Sequence, residues 1–179
     1  ATFPLYYKER KSEMKEIFER KSIRRYSKEQ VTDDQIKELL KAAMAAPSAA
    51  NKQPWEFVII RERDTFEKIM KVHPYSSMLS EASAAIVVCS NTKKELGEGY
   101  GILDCSAATE NILLMAQSIG LGAVWLGVYP RDERMTDIRK ILTIPEDVIP
   151  LNIISIGYPA EVRKPEDRYR EDRLHYGRW

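Results

Sequence analysis

Residues 84–89 read Ala-Ala-Ile-Val-Val-Cys, six consecutive apolar side chains. In an extended strand, successive side chains point to opposite faces. A strand apolar at every position buries both faces, so it takes a central place in a sheet covered on each side. That segment rules out a helical bundle and an isolated hairpin. Other apolar runs alternate with helical periods around it. Trp55–Ile60, Leu121–Val128 and Leu151–Ile156 carry strand signals. Ile36, Leu39, Leu40, Ala43 and Met44 form one helical stripe, opened by a capping box at Thr32 and Gln35 and stopped before Pro47. Asp64 caps a short helix running to Val72, and a further turn follows Pro74. Leu103–Ile119 is a long helix closed by Gly120, and Arg134–Leu142 is another. Met14, Ile17 and Phe18 place a first helix over Glu9–Arg20. The expected fold is α+β, with a mixed central sheet flanked by helices.

Composition narrows the function. A length of 179 residues and a hydrophobic share of 44% suit one domain with a real core. The 28 basic and 27 acidic side chains leave a net charge of +1, so no global pull toward nucleic acid or an anionic membrane is expected. No apolar run approaches the ~20 residues that span a bilayer. The first residues, ATFPLYYKERK, hold no secretory core. Cys89 and Cys105 form no C-x-x-C and sit among apolar residues, which reads as two reduced packing thiols and a cytoplasmic setting. His73 and His175 have no ligand-spaced neighbours, so no metal is expected. Dinucleotide, P-loop, zincin and nucleophile-elbow signatures are missing. Gly97, Gly99 and Gly101 precede a helix, but no strand leads directly into them.

The last seventeen residues, 163–179, hold six basic and four acidic side chains together with Tyr169, Leu174, Tyr176 and Trp179. Disordered tails seldom carry three large aromatics in so short a span. The reading is a domain over residues 1–162 and an arm over 163–179 that packs on a second subunit.

Two local features bear on chemistry. Arg20-Lys-Ser-Ile-Arg-Arg25 puts four cations and a hydroxyl within six residues. Guanidinium groups and a hydroxyl suit a phosphate monoester. A solvated basic turn at a helix C-terminus accounts for the same residues, and charge alone does not separate the two. Pro47-Ser-Ala-Ala-Asn-Lys-Gln-Pro-Trp55 is a loop of small residues, in which Asn51 and Gln53 offer amides to a heterocycle.

Taken together, R-K-S-I-R and, about 25 residues on, P-S-x-x-N-x-Q-P-W resemble the FMN-dependent nitroreductase family. Asp104–Trp125 is similar to that family's long interface helix and following strand, and Ile156–Glu161 to its last core strand. The resemblance spans nearly the whole chain in order. It implies a nitroreductase-like fold and an intertwined homodimer with C-terminal arm exchange and two FMN sites at the interface. It further implies that Arg20, Lys21, Ser22 and Arg24 hold the FMN phosphate and ribityl chain. Pro47, Ser48, Ala49, Asn51 and Gln53 would line the flavin from the partner. Trp125, Leu126 and Gly127 would run along the ring, with backbone near flavin N5, and Lys164 and Arg168 would close the phosphate site. NADH or NADPH would be the donor and a nitroaromatic, quinone or similar small molecule the acceptor, in ping-pong turnover with no catalytic side chain named. Only about a dozen residues, 90–101, lie where many relatives insert a helical lid, so the acceptor side is either open or covered by Gly97–Gly101 and neighbours such as Tyr100. Flavin fragmentation, reductive dehalogenation and non-catalytic flavin storage are the competing functions.

Overall fold

The computed structural model describes residues 14–179. Four strands, β1 (Trp55–Ile60), β2 (Ala84–Asn91), β3 (Gly122–Gly127) and β4 (Val148–Gly157), form one sheet in the order β1-β2-β4-β3. All three strand pairs are antiparallel. The parallel component is a single bridge, Ser22 to Ala123, on the outer edge of β3. Five helices accompany the sheet: α1 (Lys15–Glu19), α2 (Asp33–Met44), α3 (Arg63–Val72), α4 (Tyr100–Ser118) and α5 (Asp132–Leu142). Residues 9–13 of the expected first helix lie outside the described residues.

The all-apolar segment is central, as its composition requires. Ala84, Ile86 and Val88 pack with Leu39, Ile112 and Ala116 of α2 and α4. Ala85, Val87 and Cys89 pack with Phe66, Ile69 and Ile138 of α3 and α5. Each face of the sheet thus has its own helical layer, and the alternation of side chains along β2 supplies both cores. Both thiols are free and buried, and burial pushes each up to about 12. They are packing groups rather than nucleophiles.

Local signals hold where the chain caps itself. Thr32 accepts from the Gln35 amide at 3.2 Å, and its own amide donates to Gln35 Oε1 at 2.9 Å. After α4, Gly120 adopts φ +77°, and the Leu121 amide reaches the Ala116 carbonyl at 2.8 Å. Several boundaries differ from expectation: α4 begins at Tyr100 rather than Leu103 and α5 at Asp132 rather than Arg134, and two further shifts have a visible cause. α3 begins at Arg63 rather than being capped by Asp64, because Arg63 stacks on Phe66 and donates to the Leu79 and Ser80 carbonyls. Asp64 instead pairs with Lys68. β4 starts at Val148, not Leu151, and runs through Pro150. Proline has no N–H for the ladder, and the register shift at Val88/Cys89, opposite Pro150, absorbs the loss.

Candidate functional site

The basic segment is fastened at both ends. The Ile23 amide donates to the Ala123 carbonyl at 3.0 Å, the only pairing that β3's outer edge makes through a bridge among the described residues. Further on, Ser27 N–H donates to the Tyr158 carbonyl at 2.9 Å and Ala160 N–H to the Arg25 carbonyl at 2.8 Å. Glycine permits both close approaches. A Cβ at Gly122 would sit 2.6 Å from Ile23 Cγ2, and one at Gly157 would sit 2.7 Å from the Tyr26 ring. Residues 22–27 are therefore laid across the start of β3 and the exit of β4.

The cations sit on this strap. Arg20 pairs with Glu110 of α4 at 3.3 Å, Lys21 and Ser22 are half-buried, and Arg24 is exposed. The Arg24 amide donates to Glu161 Oε1 at 2.6 Å, and Glu161 Oε2 takes Arg163 at 3.1 Å. These bonds, the Arg24 amide first, hold the Glu161 carboxyl below the usual carboxylate range. The tail thus departs beside Arg24. Lys164 is exposed there, whereas Arg168 pairs with Glu166 within the tail at 3.5 Å.

Strand alternation fixes which backbone groups of β3 are available. The Ala123 carbonyl faces outward to Ile23, and the Val128 amide faces inward to the Leu151 carbonyl. Residues 123, 125 and 127 accordingly turn their peptide groups away from β4. The bridge at Ser22 is isolated, so this edge is not laddered onward to Trp125 and Gly127. Trp125 is 36% exposed, Leu126 is buried, and a Cβ added at Gly127 would meet nothing within 4 Å. From Ala123 to Gly127 is about 13 Å at strand rise. Cations at one end and, at the other, a strand edge with no neighbouring strand at Trp125 and Gly127 fit an elongated ligand with an anionic tail and a flat head.

The loop at 47–53 folds tightly. Ala49–Asn51 form a 3-10 turn, and Ala50, Asn51 and Gln53 have φ of +48°, +54° and +49°. Such backbone strain persists where its surroundings enforce it. Here the Gln53 amide donates to Ser48 Oγ at 3.0 Å, Gln53 Nε2 to Asn51 Oδ1 at 2.7 Å, and the Ala49 amide to Asp104 Oδ1 at 3.0 Å. Asp104 is buried, and its other oxygen has no partner among the described residues. Pro47, Asn51 and Gln53 are exposed. Loop and strap both touch α4, but through Asp104 and Glu110. Six residues of helix put these roughly 9 Å apart along the axis and about 120° apart around it. The chain does not bring its own loop onto its own strap.

Three contributors escape the sequence reading. Glu110 and Asp104 look like ordinary charges on a long helix until the fold gives them their partners. His73, weighed only as a metal ligand, is buried with Nε2 2.9 Å from the Gly127 carbonyl, and Arg134 Nη1 reaches the same oxygen at 3.2 Å. The groove lined by Gly99, Tyr100, Ile102, Leu103 and Tyr129 lies beside the short 92–99 connection between β2 and α4. Among the described residues, no group of three or more His, Cys, Asp or Glu is arranged for a metal, and no helix is long and apolar enough to cross a membrane.

An antiparallel sheet with a helical layer on each face and a basic segment laid over one edge places the chain in the nitroreductase fold class. The model of the nitroreductase family matches residues 17–73 and 64–158, and the chain belongs to that family. An Archaeoglobus fulgidus protein is 46% identical over 170 residues, covering 93% of this chain and 98% of its own. A solved structure from Parabacteroides distasonis superposes with a TM-score of 0.90 at 40% identity, covering 94% of this chain and 99% of that one. Both carry the name "Putative NADH dehydrogenase/NAD(P)H nitroreductase". An FMN-dependent nitroreductase from Clostridium difficile superposes with a TM-score of 0.84 at 28% identity, covering 92% of this chain and 98% of that one.

Proposed function

We propose that this chain is an FMN-dependent oxidoreductase that takes electrons from NADH or NADPH and passes them to a nitroaromatic, quinone or similar small acceptor. The observation that carries the reading is the alignment of the Arg20–Arg24 strap with the open Trp125–Gly127 edge of one strand. The names of the relatives support both the flavin and the nicotinamide.

The residues have separate tasks. Arg20, Lys21 and Arg24 would neutralise the FMN phosphate, with Ser22 as a neutral donor and Lys164 and Arg168 brought in from the tail. Arg20 already faces Glu110 across 3.3 Å, so its guanidinium is oriented before an anion arrives. Gly127 lets a flat ring lie against backbone because no side chain projects there. Pro47, Ser48, Ala49, Asn51 and Gln53 would reach the ring from a second copy, in keeping with the 120° offset between Asp104 and Glu110. Bound FMN supplies the two-electron chemistry, with hydride arriving from nicotinamide and electrons leaving to the acceptor. No side-chain nucleophile is required.

One open edge implies that donor and acceptor share one face in turn. Purified protein is expected to be yellow and to bleach anaerobically with NADH or NADPH. Steady-state plots of inverse rate against inverse donor concentration, at several acceptor concentrations, are expected to be parallel. Converging lines would mean a ternary complex with a separate donor site. A yellow protein that neither nicotinamide bleaches would be a flavin carrier.

A further inference from the structure

Two donors from different helical elements converge on one carbonyl. The Gly127 oxygen receives His73, at the C-terminal end of α3, and Arg134 on α5. The imidazole is fully engaged. A carbonyl only accepts, so Nε2 carries the proton, and the Tyr75 amide donates to Nδ1 at 3.3 Å. His73 is only 2% exposed, and the Ser76 hydroxyl holds its own carbonyl at 2.7 Å. Arg134 is anchored in turn over the Tyr75 ring at 5.4 Å. This polar knot lies at the end of an edge strand, where a single backbone contact would suffice to end pairing. A buried imidazole with both nitrogens satisfied is a costly way to fix a strand end, and the group it fixes is the outward-facing carbonyl of Gly127.

Resting on the proposed flavin reading, we propose that His73 is a positioning residue: with Arg134 it clamps the Gly127 carbonyl and so holds the Gly127 N–H at the edge where the flavin ring lies. In a strand the N–H and C=O of one residue point the same way, so gripping the carbonyl orients the amide. Arg134 contributes charge as well as geometry, because its guanidinium donates to the carbonyl of the same residue whose N–H is offered to the ligand.

The test compares His73→Phe, which removes the donor, with His73→Gln, whose Nε2 can take the place of imidazole Nε2. Two readouts are used: hydrogen exchange of the Gly127 amide, which needs no turnover, and the rate of anaerobic bleaching by NADH. His73→Phe is expected to raise Gly127 exchange at least tenfold and slow bleaching at least tenfold, with one FMN retained per protomer. His73→Gln is expected to stay within threefold of the native protein on both. Arg134→Met, at a half-buried site, is expected to move both readouts the same way by a smaller factor and serves if His73→Phe does not fold. Native bleaching and exchange in His73→Phe and Arg134→Met would overturn the clamp, as would a loss in His73→Gln as large as in His73→Phe. A native protein that binds no FMN would remove the flavin reading and this use of the clamp together.

Discussion

Single side chains here act mostly through backbone groups they hold. His73 is the clearest case, and its protonation has a consequence for stability. Burial holds the imidazole below its ordinary value of 6.5, the Gly127 bond opposes this, and Arg134 reinforces it. The folded state therefore binds fewer protons than the unfolded state in the range just below pH 6.5. Stability is full above about pH 6.5 and is lost as pH falls toward the depressed value. Urea midpoints measured between pH 8 and pH 5 should fall more steeply for the native protein than for His73→Gln, which cannot titrate. Equal slopes would show that His73 titrates alike in the folded and unfolded states and that burial does not lower it. Arg20 makes a different prediction. Arg20→Ala is expected to weaken FMN by about 2–4 kcal/mol, since a charge-assisted contact is lost beside an anion left underpaired. Fluorescence titration with FMN checks the loss. Riboflavin, lacking the phosphate, should bind poorly to the native protein and be little affected by the substitution, and riboflavin as tight as FMN would remove the phosphate site.

At the scale of elements, what was legible in the sequence was whatever the chain settles locally. The Thr32 and Gln35 capping box, the α2 stripe and the apolar β2 run each depend on neighbours within a few residues, and each stands where it was expected. Thr32→Ala should cost about 1 kcal/mol by loss of the cap, seen as a lower melting temperature with FMN content unchanged. Boundaries set by distant partners were not legible. Pro150 reads as a stop, yet a bulge in β4 itself, at Leu151 opposite Val88 and Cys89, carries the strand through it. Arg63 pulls α3 two residues early because its carbonyl partners lie at 79 and 80. The site divides in the same way. The basic cluster and the small-residue loop are contiguous and visible, while the His73–Gly127 contact joins residues 54 apart and exists only in the fold. The strap offers an element-scale test. Gly122→Ala would push a methyl into Ile23 and displace the Ser22 bridge. Overpacking of this kind costs about 1–3 kcal/mol. Loss of FMN beyond that caused by lower stability would tie the strap to the site, and normal FMN content in a protein that melts earlier would untie it.

The whole molecule leaves an account unbalanced in a way that points to a second copy. The tail carries Tyr176 at 87% and Trp179 at 99% exposure, with Tyr169 and Leu174 also exposed, and α1 and its N-cap expose Met14, Ile17 and Phe18. Isolated apolar side chains on a surface are ordinary, but clusters at one end of a chain mark a contact surface. The 47–53 loop adds an independent reason, because strained backbone is held against α4 while Asn51 and Gln53 face outward, away from this chain's own strap. We propose that the 163–179 arm crosses to a partner that returns its loop to the strap's flavin. Obligate interfaces of this kind commonly bury about 2,000 Å² or more. Deleting residues 163–179 should then shift the protein from dimer toward monomer in sedimentation and lower FMN content in the same preparation, since Lys164 and Arg168 leave with the arm. The two losses are separable. Replacing both Lys164 and Arg168 with Ala in the full-length chain should lower FMN while the dimer persists, because the aromatic anchors remain. A truncated protein that stays dimeric with one FMN per protomer would refute the arm's part in both the interface and the phosphate site.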